Sequence, residues 1–163
     1  MEIRIEKAQI RNISEIKKFL ADSWRKTYRD ILPEKIIQRA IDVWQRTERL
    51  TVQITGPGTY FPVARNNKGK IIALMTVRQE NKNEITVSRL YVDASYQGKG
   101  IGTELLNKLP SQFPKIKKIR LQVDRENRKA RKFYAKRGFK ESGTEEKMIL
   151  DYPRQLIIME KTL

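Results

Sequence analysis

Glycine stands at 98, 100 and 102 in the stretch YQGKGIGTELLNKL, residues 96–109, and an amphipathic run of helix formers follows. Glycine is costly to order, so three on alternate positions mark a place that needs bare backbone or unusual dihedrals. A strand, a glycine-rich turn and a helix start together make an anion site. The first backbone N–H groups of a helix lack internal partners. The helix dipole adds partial positive charge there, and glycine lets a phosphate come close. Lys99 adds a cation. Neither familiar phosphate loop fits: GxxxxGK[ST] is absent, and a GxGxxG register puts Thr103 or Leu105 where its third glycine belongs. A tight turn without a ligand is the other reading of the glycines taken alone.

The chain of 163 residues contains no cysteine and no histidine. Thiolate metal sites, cysteine nucleophiles and disulfides are excluded, as are Ser-His-Asp and histidine-dependent zinc chemistry. Catalysis has carboxylates, hydroxyls, lysine and backbone to draw on. The formal net charge is +16. Between Lys108 and Lys140, 13 Lys and Arg stand against two acids, Asp124 and Glu126. Such a block suits an anionic partner, whether phosphorylated small molecule, nucleic acid or membrane surface, or else forms a solvated face. No apolar run approaches a membrane span. The opening MEIRIEKAQI is charged throughout, unlike a signal peptide, so a cytoplasmic protein is expected.

The elements that position these residues follow from periodicity. EIRIEKA, residues 2–8, alternates as a strand. Ile13, Ile16, Leu20 and Trp24 recur at helical spacing, and Pro33 opens a second helix through Trp44. After the loop signal TGPG at 55–58, YFPVAR and IIALMTVRQ read as a hairpin about the turn at 66–69. ITVSRLYV leads into the glycine loop, and a helix is expected from about 102 to 112. KKIRLQV then reads as a strand, NRKARKFYAKR as a helix stopped by Gly138, and YPRQLIIMEK as a last strand. The order βααβββαβαβ predicts one mixed α/β domain over 1–163. The apolar LIIM at 156–159 is a candidate for homodimer contacts.

A second motif stands downstream: Asn127-x-x-Ala130-x-x-Phe133-Tyr134-x-x-x-Gly138-Phe139. Together with Gln97-x-x-Gly100-x-Gly102 after a strand ending LYV, it resembles the GNAT superfamily of acyl-CoA-dependent N-acetyltransferases, closely over residues 71–140 and in element order throughout. The resemblance implies the GNAT fold, a mixed central sheet with a splayed strand pair and flanking helices. It implies acetyl-CoA as donor, with its pyrophosphate at Gln97, Gly98, Lys99, Gly100, Ile101, Gly102 and Thr103. It places the pantetheine chain against the backbone of Leu90 and Val92, and a coenzyme contact at Asn127, which also reads as a plain helix cap. The basic block would then have part of its use near the adenosine phosphate.

The resemblance makes Tyr134 the general acid for the leaving thiolate. Relatives often carry a glutamate ten or eleven residues before the loop glutamine. Thr86 stands there and cannot act as a base, so Glu84, acting through a water, is the candidate, with solvent as the other route. SWRKTYRDILPE, residues 23–34, is similar to the polyamine-acetylating (spermidine/spermine-type) branch. That puts Trp24 and Tyr28, with Asp30 or Glu34, against a small primary amine; core packing at i, i+4 is the other reading of the two aromatics. The competing functions are acetylation of a peptide N-terminus, a non-catalytic acyl-CoA sensor, and nucleic-acid binding by the basic block, which has no RRM, KH or zinc motif behind it.

Overall fold

In the computed structural model, which describes residues 1–163, eight strands form one sheet in the order β1-β3-β4-β5-β6-β8-β7, with β2 beside β4. The strands are β1 (Arg4–Lys7), β2 (Thr59–Tyr60), β3 (Pro62–Arg65), β4 (Ile71–Asn81), β5 (Glu84–Val92), β6 (Lys118–Asp124), β7 (Lys140–Ile149) and β8 (Tyr152–Thr162). All neighbours run antiparallel except β5 and β6, which are parallel. This is the mixed α/β architecture that the element order predicts.

Helices cover both faces. On one side lie α1 (Ile13–Tyr28), α2 (Glu34–Trp44) and α3 (Thr47–Thr55). Ile13, Ile16, Phe19 and Leu20 of α1 pack with Leu50, Phe61, Val63, Ile71 and Leu74. Trp24 joins Ile37, Ala40 and Ile41 of α2 and Ile149 at the end of β7. On the other side lie α4 (Ile101–Asn107), α5 (Leu109–Gln112) and α6 (Arg128–Ala135). Ile101, Leu105, Leu109 and Tyr134 pack there against Ile85, Val87, Ile119, Leu121 and Val123. Arg65 ties the N-terminal corner together. Its buried guanidinium donates to Glu6 at 2.7 Å, Glu15 at 2.9 Å and the carbonyl of Gly69 at 2.7 Å.

One expectation changes, two elements appear that the periodicity did not show, and one apolar run finds partners within the chain. The helix drawn over 102–112 is two helices meeting at Lys108, with Pro110 in the first turn of the second, where its missing N–H costs nothing. Helix α3 shows no apolar stripe because Leu50 is its only buried residue. Strand β7 is exposed along its whole length except Ile149 and offers no periodic apolar face to read. The LIIM run is largely spent on the chain's own fold: Ile157 and Met159 are buried in the core, and Leu156 and Ile158 are half-buried on the opposite face.

Candidate active site

The parallel pairing of β5 with β6 covers only Glu84–Val87 against Lys118–Leu121. Beyond that point the strands separate. The cause is visible in the β4–β5 register, which shifts between Thr76↔Arg89 and Val77↔Val87 and leaves Ser88 as the extra residue of a bulge. A bulge bends its strand and ends pairing. The N–H of Asp93 donates to Ile72 O at 2.8 Å. By alternation along the strand, the backbone groups of Leu90 and Val92 therefore point away from β4 and into the gap.

The glycine loop closes the wide end of this gap. Gly98 and Gly100 have φ of 76° and 83°, a region L-residues rarely enter, and a side chain at either would meet open space. The first amide bonded into α4 is that of Glu104, to Gly100 O at 2.9 Å. The six preceding N–H groups, Gly98 to Thr103, donate to no protein atom. Gly102 serves a different purpose. A Cβ there would lie 3.0 Å from the ring of Phe133, so this glycine lets α6 sit against α4. Phe133 in turn lies beneath the Arg137 guanidinium at 3.6 Å, and Arg137 donates to the Thr103 hydroxyl at 2.7 Å.

The Gln97 side chain does not reach into the cradle. Its Nε2 donates to Val92 O at 3.0 Å, and its Oε1 accepts from Lys129 Nζ, which staples the loop to β5 and to α6. The Lys99 ammonium sits over the Tyr96 ring at 5.1 Å. Ile101 is buried beneath the loop. Asn127 caps α6, its Oδ1 accepting from Ala130 N at 3.2 Å.

The deep end of the gap is where the two helical layers meet. Tyr134 arrives from α6, its ring packed edge-on between Phe133 and Phe139. Burial, with the nearby Tyr91 phenol, holds its pKa well above the usual tyrosine value. Tyr91, on β5, is pushed up to about 12 by burial, against the pull of Arg89 and a hydrogen bond with Trp24. Tyr28, the last residue of α1, is raised by burial and then by Tyr91, Asp124 and Tyr134. Burial keeps all three phenols protonated at neutral pH. Asp124 ends β6, is buried, and is gripped by Arg154 of β8 through two hydrogen bonds of 2.7 and 2.8 Å.

Trp24 and Tyr28 pack together in one cluster with α2. The Trp24 ring is buried, stacked on Tyr28 at 4.3 Å and edge-on to Trp44 at 5.4 Å, so it packs. Tyr28 is half-buried against the same cluster. Asp30 is turned to solvent beside Arg29, and Glu34 is exposed at the start of α2.

Glu84 lies outside the site. It opens β5 at the closed end, where it pairs with Lys118 at 3.2 Å. Six residues of strand separate it from Leu90, about 20 Å at ~3.3 Å per residue. Its chemistry as a base cannot reach the gap, and its half-buried carboxylate is taken up by Lys118. Tyr91, Asp124 and Arg154 were not singled out by their types or spacing. The one available signal was that Asp124 and Glu126 are the sole acids of the basic block.

Residues 15–139 match the sequence profile of the acetyltransferase (GNAT) family. The chain belongs to that family. Among GNAT proteins it is similar to an uncharacterized N-acetyltransferase of Mycobacterium tuberculosis, 28% identical over 116 residues that span 70% of this chain and 73% of the relative. The PaiA N-acetyltransferase of Thermoplasma acidophilum, solved in complex with coenzyme A, superposes with a TM-score of 0.87 over all of both chains at 27% identity. The ribosomal-protein-S18-alanine N-acetyltransferase of Escherichia coli shares the fold, with a TM-score of 0.71 at 19% identity over 99% of this chain and 94% of that one. No helix is long and apolar enough to cross a membrane.

Proposed function

We propose that this N-acetyltransferase moves an acetyl group directly from acetyl-CoA to the primary amine of a small molecule. The observation that carries this reading is the run of six unbonded amides, Gly98 to Thr103, at the mouth of a gap that ends at Tyr134. Acetyl-CoA supplies the thioester-activated acetyl group. The loop amides, with Lys99, suit its pyrophosphate. The gap-facing backbone of Leu90 and Val92 suits an extended amide chain, and the Val92 N–H suits the carbonyl oxygen as charge grows on it. Asn127 stands at the same mouth, beside the loop that Lys129 ties to α6.

Tyr134 keeps its proton at neutral pH because burial disfavours the phenolate. It holds that proton on Oη for the departing sulfur. A proton leaves the amine and one is gained by the thiol, so no covalent enzyme intermediate is needed. With Glu84 at the closed end and Thr86 unable to ionise, the amine loses its proton to water. A polyamine is the acceptor the 23–34 segment favours, with the Tyr28 face offering an aromatic surface to an ammonium.

The test is melting temperature with and without acetyl-CoA, beside a short RNA, at low and moderate salt. A ligand that binds only the folded chain raises stability by RT ln(1+[L]/Kd). An upshift with acetyl-CoA that survives moderate salt is expected, followed by turnover on a panel of amines. Free thiol release reports turnover cleanly, since the protein has no cysteine. No shift with acetyl-CoA and a salt-sensitive shift with RNA would replace this reading with nucleic-acid binding.

A further inference from the structure

Ile157 and Met159 of β8 face the core beneath α4 and α6. The next residue on that face is Lys161, which stands opposite Ile119 of β6 in the register. The apolar row thus ends on a cation. The stem of Lys161 lies over Gly138, its Cε 3.5 Å from where a Cβ would stand. Arg137, next in sequence to that glycine, is fixed by three contacts. Its Nε donates to the Thr103 hydroxyl and its Nη1 to Phe133 O, each at 2.7 Å, and the Phe133 ring lies 3.6 Å from the guanidinium.

Lys161 and Arg137 both line a cavity of about 160 Å³, together with Asn107 and the buried Leu106, Ile119 and Phe139. The cavity shares no residue with the glycine loop, β5, Asn127 or Tyr134, and no acidic side chain lines it. The two oxygens that accept from Arg137 are neutral, and its Nη2 donates to no protein atom. A guanidinium held in place without a counter-ion, with a lysine and apolar side chains around the same cavity, suits an anion that carries an apolar body. An apolar cavity of ~150 Å³ holds one benzene, so that body is a single ring or a chain of similar bulk.

We propose that this cavity is a regulatory site for a small monocarboxylate, bound with its carboxylate at Arg137 and Lys161 and its apolar body on Leu106, Ile119 and Phe139. Arg137 connects the site to the glycine loop. It bonds Thr103, the residue of the last free amide, and the Phe133 ring against it packs on Gly102. A carboxylate there offsets positive charge beside the loop and weakens its hold on acetyl-CoA. Acetyl-CoA weakens the carboxylate by the same factor. The site stands on its own geometry, and its effect on the donor rests on the loop reading above.

The test titrates benzoate, with benzyl alcohol as the neutral control, into wild type and Lys161→Met by calorimetry. The expected benzoate Kd is about 1 mM or tighter, at least fivefold weaker in the variant, with benzyl alcohol at least tenfold weaker than benzoate. The acetyl-CoA melting shift checks that the variant is folded, and Lys161→Gln serves if Lys161→Met is not. In wild type, added benzoate is expected to raise the apparent Kd for acetyl-CoA about fivefold and then level off. No benzoate binding, or equal binding by the variant, would overturn the site. A rise without a plateau would put benzoate in the donor cradle and overturn it too. Benzoate that binds while the acetyl-CoA Kd stays fixed would overturn the regulatory role. Wild type that binds benzoate but no acetyl-CoA would overturn the loop reading, and the regulation with it, and leave the site standing.

Discussion

Strands β5 and β6 are one parallel pair with two unlike ends. At the closed end the backbones bond to each other, Ile85, Val87, Ile119 and Leu121 are buried, and the polar side chains pair locally, as Glu84 does with Lys118. At the open end, past the bulge at Ser88, the backbone of Leu90 and Val92 has lost β6 as a partner, and Tyr28, Tyr91, Tyr134 and Asp124 converge. The closed end satisfies itself, whereas the open end leaves backbone groups free for the proposed donor. A carboxylate therefore means different things at the two ends: Glu84 is half-buried and paired with Lys118, and Asp124 is a buried charge held by Arg154.

The largest effect that would break this contrast comes from Tyr134→Phe. Removing the proposed general acid is expected to lower turnover by roughly 10²–10⁴-fold, with the acetyl-CoA melting shift nearly unchanged. Normal turnover would take Tyr134 out of the chemistry. The Arg65→Met variant probes the scaffold rather than the site. It strands Glu6 and Glu15 and is expected to cost about 2–3 kcal/mol of stability, read by denaturant unfolding, while KM for acetyl-CoA holds.

The loop is more sensitive in geometry than in space. Gly100→Ala has room for its Cβ but must hold φ near 83°. That strain is worth about 1–2 kcal/mol, and a weaker hold on acetyl-CoA, about fivefold or more, is expected by calorimetric titration. Alkaline pH sharpens the picture of the open end. Burial raises the tyrosines above the unfolded value of 10.0, to about 12 for Tyr91, and Tyr28 and Tyr134 move the same way. Between those values the unfolded chain loses protons that the folded chain keeps, so stability is full below pH 10 and falls as pH rises toward 12. In the same way, no tyrosine-linked loss of turnover is expected below about pH 10. The smallest effect belongs to the closed end: Glu84→Gln should leave kcat and both KM values within about twofold, as Glu84 pairs with Lys118 far from the gap. A large loss of kcat would restore Glu84 to the reaction.

Much of this was written locally. The glycine loop, the Asn127–Phe139 motif, the apolar period of α1 and the hairpin of β3 and β4 are each specified within a dozen or so residues, because dihedral demand and burial period act over that range. The motif also marked Tyr134, the neighbour on α6 of the Phe133 ring that packs against Gly102. What stayed hidden lacked a local signal. Strand β7 buries one side chain, and α3 buries one, so neither shows a period.

The sequence by itself determined that catalysis would proceed without histidine or cysteine, that a glycine-rich turn precedes α4, and that the chain resembles an acyl-CoA-dependent transferase. Only the tertiary structure decided which charged and phenolic groups share the site. Tyr28, Tyr91, Asp124, Tyr134 and Arg154 come from five separate elements, and nothing in their spacing along the chain relates them. The bulge at Ser88 brings them together by parting β5 from β6, and a gap between two strands exists only once both strands are in one sheet.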